Sequence, residues 1–469
     1  MNCGLSLITR TDGYKPSHWL MKPPGMTYDF CYFECRGGPF SATIPIGLQY
    51  YVMEYLSQRV TAGDVESAKK DFAEYFGNSG IFNERGWRDI VDKHGGYLPL
   101  SIKFVPEGLP VPPGNVLMTV TNTDPAFPWL PSYVESLLSK VWYPTTVATL
   151  SYEIKQVIKK YLQLTGTEAL LPYKLHDFGY RGVSSEESAA IGGMAHLVNF
   201  HGSDTFPAIP FARTYYDAKK MIAASIPAAE HGSILPWQRE VEAFDHILSK
   251  FPSGFVAIVV DTNDTHNAVA NLIGEQLREK VLSRNGVLVV RPDSGDPTTS
   301  VLSVLEMLGE KFGTFENQKG YRVLHPAISV IQGDGVDLSS IAMILDRMQR
   351  KGWSADNITF GMGGALLQKL HRDVMSCAYK CSHVGFADGT GRDVFKNPIT
   401  DPGKRSKAGK LKLVLVDGAH GRHYRTVPQD TGFEKDVLVE IFRDGEIKKR
   451  YTFDEVRANT EKSIEYWNR

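Results

Sequence analysis

The chain has 469 residues, with 52 Lys+Arg against 53 Asp+Glu and a formal net charge of -1 at pH 7. That balance argues against a general nucleic-acid binder, which carries an overall basic excess; a hydrophobic fraction of 42% with 7 Trp, 21 Tyr and 23 Phe argues against wholesale disorder. The longest apolar runs, such as 255–260 (FVAIVV) and 286–290 (GVLVV), are strand-length and fall far short of the ~20 residues of a membrane helix.

From the N-terminus, MNCGLSLITRTDGYK shows no basic stretch followed by a long apolar one, so a cytoplasmic location is expected. Five cysteines form no disulfide framework, and their odd count fits a reducing compartment. Cys31-Tyr32-Phe33-Glu34-Cys35 reads as a strand, and Cys377 and Cys381 repeat its spacing. Two such pairs have the donors of a four-cysteine zinc site. Their separation along the chain favours buried core thiols instead. Residues 47–76 are helical in period, with a break near Ala62-Gly63. Residues 101–120 read as strand, turn, strand, the turn made by Pro112, Pro113 and Gly114. Residues 132–165 read as helices interrupted at Pro144.

The middle of the chain changes rhythm. Short segments end in Gly, Asp, Arg or His and are followed by helix-length stretches: 173–182, 198–205, 225–231, 256–264, 287–296, 328–334 and 358–364. Their spacing is that of βα units, and buried parallel strands read as apolar runs. Seven such junctions predict an α/β barrel or a doubly wound sheet, with functional groups at the carboxyl ends of the strands. Further on, 401–412 is a basic loop, 411–453 alternates like strands with Asp-Gly at 417–418 and 444–445 as hairpin signals, and 454–468 is a closing helix. Residues 151–375 are expected to form the barrel domain, with 1–150 and 376–469 joining in a discontinuous mixed α+β domain.

Three strand ends carry glycine, the first two with acid beside it: Arg291-Pro292-Asp293-Ser294-Gly295-Asp296, Gln332-Gly333-Asp334-Gly335-Val336-Asp337 and Gly361-Met362-Gly363-Gly364. Glycines let backbone N–H groups approach a phosphate, and a neighbouring Asp can accept from ribose hydroxyls or orient a magnesium shell. No P-loop is present. Together the three fit a sugar phosphate, with Arg181, Arg291, Arg372, Lys369 and Lys380 as candidate cations. His231 follows Glu230 at another strand end, where it can be a general base, a metal ligand or a nucleophile toward phosphate. Zinc is disfavoured because no H-E-x-x-H or comparable spacing occurs. A third focus is His176-Asp177-Phe178-Gly179-Tyr180-Arg181-Gly182, where an aromatic at a strand end can stack on a flat ring.

At this point whole stretches become recognisable. Residues 173–185 (YKLHDFGYRGVSS), 227–231 (PAAEH), 291–295 (RPDSG), 331–337 (IQGDGVD), 363–369 (GGALLQK) and 401–406 (DPGKRS) resemble the nicotinamide phosphoribosyltransferase family. So do 11–15 (TDGYK), 32–36 (YFECR), 105–108 (VPEG) and 142–149 (WYPTTVAT), so the resemblance spans essentially the whole chain. It implies a type II phosphoribosyltransferase: an α/β protein with a modified (β/α) barrel and a second mixed α+β domain, acting as a homodimer with shared active sites. The implied reaction joins nicotinamide to phosphoribosyl pyrophosphate, giving nicotinamide mononucleotide and pyrophosphate in NAD salvage. Mg2+, held mainly by pyrophosphate and water, and ATP as coupled co-substrate through a phosphohistidine are implied with it. No nucleic-acid or membrane partner is.

Residue by residue, the resemblance assigns the phosphohistidine to His231, with Glu230 as its orienting neighbour. Phe178 and Tyr14 become the aromatics that sandwich nicotinamide, Tyr14 coming from the partner subunit. Arg181 contacts the ring and carboxamide region, and Asp204 accepts from the amide nitrogen. Arg36, Arg372, Lys380 and Lys396 match pyrophosphate ligands. Arg291, Asp293, Gly333, Asp334, Gly363 and Gly364 match ligands of the ribose phosphate, and Asp293 is also assigned to the chemistry. Val260 and Ala378 depart from the family pattern, each standing in place of a Ser. Competing readings are a nicotinate phosphoribosyltransferase and a non-catalytic binding protein on the same fold. A barrel aldolase or glycosidase is disfavoured because the chain shows no obvious Schiff-base lysine and no convincing pair of catalytic carboxylates.

Overall fold

In the computed structural model, which describes residues 5–400, 404–418, 421–432 and 435–462, the chain divides into two units. One comprises 150–212 and 219–370; the other comprises the described parts of 1–149, 213–218 and 371–469. The hexapeptide 213–218, placed in the barrel by the sequence division, groups with the second set. The reason is Glu107, buried, whose carboxylate accepts from Tyr216 Oη (2.7 Å) and from the N–H groups of Gly47 (3.0 Å) and Gln49 (2.8 Å). A buried carboxylate left without such donors would be costly, so the segment is tied where they are.

The first unit is built on a parallel sheet ordered Gly202–Ser203, Leu175–Asp177, Ile358–Met362, Ile328–Gln332, Asn285–Arg291, Ser253–Val259. The seventh predicted segment closes it. Ala224 bridges Gly202 and Ala228 bridges Ala257, both in the parallel sense. Ser203 N–H donates to Ala224 O (3.1 Å), and Ala229 N–H donates to Ala257 O (2.9 Å). All seven predicted strand segments therefore lie in one ring. Ala257, Val289 and Ile331, from three adjacent strands, form a buried cluster against which Phe178, Ile226 and Val287 pack. Barrel interiors are filled by such layers of side chains.

The helices that follow the strands start where the sequence supplies caps. Asp296 caps Pro297–Phe312, its Oδ1 accepting from Thr299 N–H at 2.9 Å, and Asp337 caps Leu338–Arg350, accepting from Ser340 N–H at 2.8 Å. Such caps stabilise by about 1 kcal/mol each. Val301, Val304, Leu305, Leu308 and Phe312 are buried along one face of the first helix. Lys174, fully buried, donates to the carbonyls of Ala355 (3.1 Å), Asp356 (2.8 Å) and Ile358 (2.8 Å). Burial pushes its pKa down to about 8.

The other unit carries an antiparallel sheet ordered Gly391–Asp393, Cys377–Phe386, Met26–Cys35, Val116–Asn122, Leu100–Phe104, Val439–Arg443, Glu446–Ile447. Asp444 and Gly445 both have positive φ (51° and 88°), the geometry of the predicted two-residue hairpin turn. Asp417-Gly418 ends the Leu411–Gly418 strand, which pairs with Gly421–Pro428. Pro144 does not interrupt a helix; it is the third residue of Trp142–Thr165, in the first turn, where its missing N–H costs nothing. The closing helix is Phe453–Glu461, and residues 463–468 of the predicted span lie outside the described residues. Residues 401–403 of the DPGKRS stretch do so too. No helix among the described residues is long and apolar enough to cross a membrane.

Candidate active site

The carboxyl ends of the barrel strands converge as the apolar-run-then-polar pattern requires. Phe178 follows Leu175–Asp177, and its N–H donates to Met362 O of the neighbouring strand (3.0 Å). Asp177 fixes the turn beyond it, Oδ1 accepting from Gly179 N–H (2.7 Å), and burial raises its pKa to about 6. The Phe178 ring lies directly on Gly361: a Cβ there would stand 1.9 Å from ring atom Cε2. It also borders Gly333, where a Cβ would meet Asp293 Oδ1 at 3.1 Å, Arg291 Nε at 3.3 Å and the same ring at 3.5 Å. Arg291 grips Asp293 with two bonds, Nε to Oδ1 (3.1 Å) and Nη2 to Oδ2 (2.7 Å), and its guanidinium carbon is 5.8 Å from the centre of the Phe178 ring. An aromatic face, a bidentate Arg–Asp pair and an open glycine backbone thus share one end of the barrel.

His231 opens the short helix His231–Ile234. Its Nδ1 is 3.1 Å from Thr262 Oγ1, and its Nε2 is 3.7 Å from Asp261 Oδ1 and 3.8 Å from Asp293 Oδ2. Asp261 is only 7% exposed, and its Oδ1 has no hydrogen-bond partner. Glu230 is the helix N-cap: its N–H donates to Ser233 Oγ (3.4 Å), and its carbonyl accepts from Ser233 N–H (2.9 Å). The polar groups that face the imidazole are therefore Thr262, Asp261 and Asp293. Asp261 and Thr262 lie in the strand-end segment 256–264, but the sequence reading gave them no role. In the sequence Gly361 stands out only as part of a glycine run. Its function as a seat for Phe178 has no sequence signal beyond its position two residues before Gly363.

The remaining barrel-unit candidates sit as follows. Asp204 is exposed, its Oδ1 accepts from Ser225 Oγ, and its N–H donates to Asp177 O (2.8 Å). Arg181 lies exposed on the turn Tyr180–Gly182. Asp334 is exposed on the loop between Ile328–Gln332 and its helix, and Gln332 Nε2 donates to its carbonyl (2.8 Å). Gly363 caps Gly364–Leu367. The repeated Asp spacing divides its labour: Asp293 and Asp334 stay on the loops, whereas Asp296 and Asp337 cap the helices. Val260 is fully buried and donates its N–H to Arg291 O (3.1 Å).

Asp261 Oδ1 and Asp293 Oδ2 supply two hard oxygen donors around one imidazole nitrogen, and the first has nothing to bind in the protein. That donor set fits a magnesium ion carried in with phosphate. A phosphoryl group on the imidazole would otherwise meet two carboxylates at close range.

In the other unit, buried Glu34 holds Arg36 (Nε–Oε1, 2.8 Å) and Lys407. Arg36 Nη2 is buried without a partner. Burial lowers the pKa of Lys380; Glu135 opposes this, and Arg36, Arg372 and Lys396 lower it further. The four predicted anion ligands therefore act within one electrostatic neighbourhood. Arg372 is exposed with Asp373 3.8 Å away, and Lys396 is exposed. Ala378 lies opposite Glu34 in the strand pair. Tyr14 is 57% exposed and precedes the Lys15–Met21 turn, its ring 4.9 Å from that of His18.

Residues 173–446 match the model of the nicotinate phosphoribosyltransferase (NAPRTase) family, and residues 6–102 match the nicotinamide phosphoribosyltransferase N-terminal domain. The chain is 47% identical to a nicotinamide phosphoribosyltransferase of Xanthomonas campestris pv. campestris over 97% of its own length and 98% of the relative's. It is 29% identical to one of Acinetobacter baylyi over 99% of both. Among solved structures, nicotinate-nucleotide pyrophosphorylase from Pyrococcus furiosus is similar in fold, with a TM-score of 0.58 at 16% identity, covering 97% of this chain and 95% of that one. Human nicotinic acid phosphoribosyltransferase aligns with a TM-score of 0.55 at 16% identity, over 97% of this chain and 93% of that one.

Proposed function

The chain belongs to the nicotinate phosphoribosyltransferase (NAPRTase) family, and from that premise we propose that it transfers the phosphoribosyl group of phosphoribosyl pyrophosphate to nicotinamide, releasing pyrophosphate, in cytoplasmic NAD salvage. The observation that carries the reading is the Phe178 ring seated on Gly361 beside the Arg291–Asp293 pair and Gly333. A flat heteroaromatic needs the ring; a ribose phosphate needs the carboxylate, the glycine amides and the guanidinium.

In the reaction the pyridine nitrogen lone pair forms a bond to ribose C1 while the bond from C1 to the pyrophosphate oxygen breaks, and the electron pair leaves with pyrophosphate. The nitrogen is already a nucleophile, so no base is required. What remains for the protein is positioning and charge. Phe178, with Tyr14 from the partner subunit of a homodimer, fixes the ring plane. Arg181 and Asp204 read the carboxamide. Arg291 holds Asp293 toward the ribose hydroxyls, and Gly333, Asp334, Gly363 and Gly364 line the 5′-phosphate. Arg36, Arg372, Lys380 and Lys396 meet the leaving pyrophosphate. Asp261 and Asp293 would hold a magnesium ion carried in with phosphate beside His231, where it would supply positive charge against a phosphoryl group on the imidazole. His231 takes the γ-phosphoryl group of ATP, an N–P bond forming at Nε2 as the bond from that phosphorus to the bridging oxygen breaks and ADP leaves with the electron pair; Thr262 fixes Nδ1.

Nicotinamide is favoured over nicotinate by Asp204. A carboxylate can accept from an amide N–H but repels a second carboxylate. The test supplies phosphoribosyl pyrophosphate and Mg2+ with either base, with and without ATP, and separates the mononucleotides. Product from nicotinamide, increased by ATP in the unaltered chain but not in His231→Ala, is expected. Product mainly from nicotinate overturns the substrate assignment, and none from either overturns the activity.

A further inference from the structure

The cysteine spacing that suggested a four-sulfur site resolves into two cross-strand pairs. Cys31 stands opposite Cys381, and Cys35 opposite Cys377, in the ladder between Met26–Cys35 and Cys377–Phe386. Four residues along a strand is about 13 Å, too far for one metal to bind all four sulfurs. The two pairs have different surroundings. Cys35 and Cys377 are buried, with sulfurs 2.8 Å apart. At the other pair a register shift falls between Phe30 and Cys31, and a donor atom each from Asp29, Cys31 and Cys381 lies within 4.8 Å of the others.

We propose that Asp29, Cys31 and Cys381 form a binding site for a thiophilic divalent cation of the zinc class, on a cleft that Lys380 also lines. Two thiolates and a carboxylate are a zinc donor set with one position left open. Asp29 and Cys31 are fully buried, and Cys381 is partly exposed. Asp29 Oδ2 is already held by Lys22 Nζ at 2.7 Å, while Oδ1 accepts only the weak S–H of Cys31, at 3.6 Å. Lys22 thus orients the carboxylate, and Oδ1 remains free to coordinate. Charge closes on one ion: two thiolates and one carboxylate against one ammonium leave two negative charges. Entry is available, since Cys31 and Cys381 line an open cleft of about 350 Å³ together with His18, Met21 and Lys22. Binding breaks two S–H bonds, forms two metal–sulfur bonds and releases two protons to solvent.

The test uses the full chain, reduced and freed of metal, titrated with Co2+ and then Zn2+. One equivalent of Co2+ should bind with thiolate-to-cobalt charge-transfer absorption and tetrahedral visible bands, bleached by Zn2+ and accompanied by release of two protons. Cys381→Ser should lose the absorption with an unchanged far-UV spectrum, whereas Cys377→Ser should keep it. Zn2+ should also protect Cys381 from alkylation in the unaltered chain, a readout that needs no variant. Absorption that survives in Cys381→Ser, absorption lost in Cys377→Ser, or alkylation of Cys381 at the same rate with and without Zn2+ would overturn the site.

Discussion

The Nε2 atom of His231 stands 3.7 Å from Oδ1 of Asp261, a carboxylate oxygen that is buried with no hydrogen-bond partner. A buried, unsatisfied anion is costly unless a cation or a charged imidazole compensates it. The pair therefore reads as a device completed by ligand, with Asp293 Oδ2 at 3.8 Å as its third member.

Asp261→Asn keeps the shape and removes the charge. ATP turnover should fall by on the order of 100-fold, the scale of a lost acid–base or charge partner. Mononucleotide formation without ATP should change far less, and the pH profile of ATP turnover should shift. Phosphate release and mononucleotide formation, measured on the same sample, decide it; equal losses in both would remove Asp261 from the ATP step.

Gly361→Ala inserts a methyl 1.9 Å from the Phe178 ring, well inside van der Waals contact, so the ring must leave its seat. Overpacking of this kind costs about 1–3 kcal/mol. The KM for nicotinamide should rise about tenfold or more, which is 1.4 kcal/mol of binding, while the KM for phosphoribosyl pyrophosphate stays near its original value. An unchanged nicotinamide KM would show that Phe178 does not support the ring.

Asp204→Ala should damage nicotinamide use more than nicotinate use. Two carboxylates ~4 Å apart repel by about 4 kcal/mol at an effective dielectric near 20, and the variant removes that penalty along with the amide's acceptor. The ratio of kcat/KM for the two bases should move toward nicotinate. An unmoved ratio would end the selectivity role.

Burial and the neighbouring cations hold the pKa of Lys380 below its usual 10.5. A bound pyrophosphate favours the charged amine, so affinity should be full below the lowered value and decline as pH rises through it. Calorimetric titration of pyrophosphate across alkaline pH measures this. Lys380→Arg should carry the decline to higher pH, and Lys380→Met should weaken binding and flatten that limb. An alkaline limb identical in all three would assign it elsewhere.

Lys174→Met strands three carbonyls, those of Ala355 and Ile358 buried and that of Asp356 partly so. Leaving such groups unpaired should destabilise by about 3–5 kcal/mol. The folded pKa of about 8 lies below the ordinary 10.5. The unfolded chain therefore binds this proton more tightly, and the cost of keeping the buried amine charged is relieved as pH climbs from 8 toward 10.5. The stability gap between parent and variant should widen over that window in denaturant titrations. A narrowing gap would contradict the assignment.

Much of the barrel was legible because its signals are local. Apolar runs such as 255–260 and 286–290 mark strands whose carboxyl-side residues, 256–260 and 288–290, are buried, and the Asp296-Pro297 and Asp337 starts mark helix caps. The polar tips between them fall at carboxyl ends whatever the tertiary detail. Hence Phe178, Arg291, Asp293 and Gly333, chosen one strand end at a time, arrive within a few ångströms of one another. The segment 225–231 was legible as a strand end but not as the piece that, with Ala224, joins Gly202 to Ala257. Its proline and alanines make no apolar run, and closure of a ring is not a local property.

What the sequence by itself determined is which residue types stand at which strand ends and caps, since backbone period, proline and capping chemistry act over a few residues. The tertiary structure alone decided the pairings between strands. Parallel register put Val259 beside Arg291, and so brought Asp261, just beyond one strand, to the histidine that Asp293 faces from the next. Antiparallel register, shifted just before Cys31, set Cys31 against Cys381 and left Asp29 to complete the trio. Register is fixed by long-range hydrogen bonding and core packing, and a single-residue slip would turn each of these side chains to the opposite face.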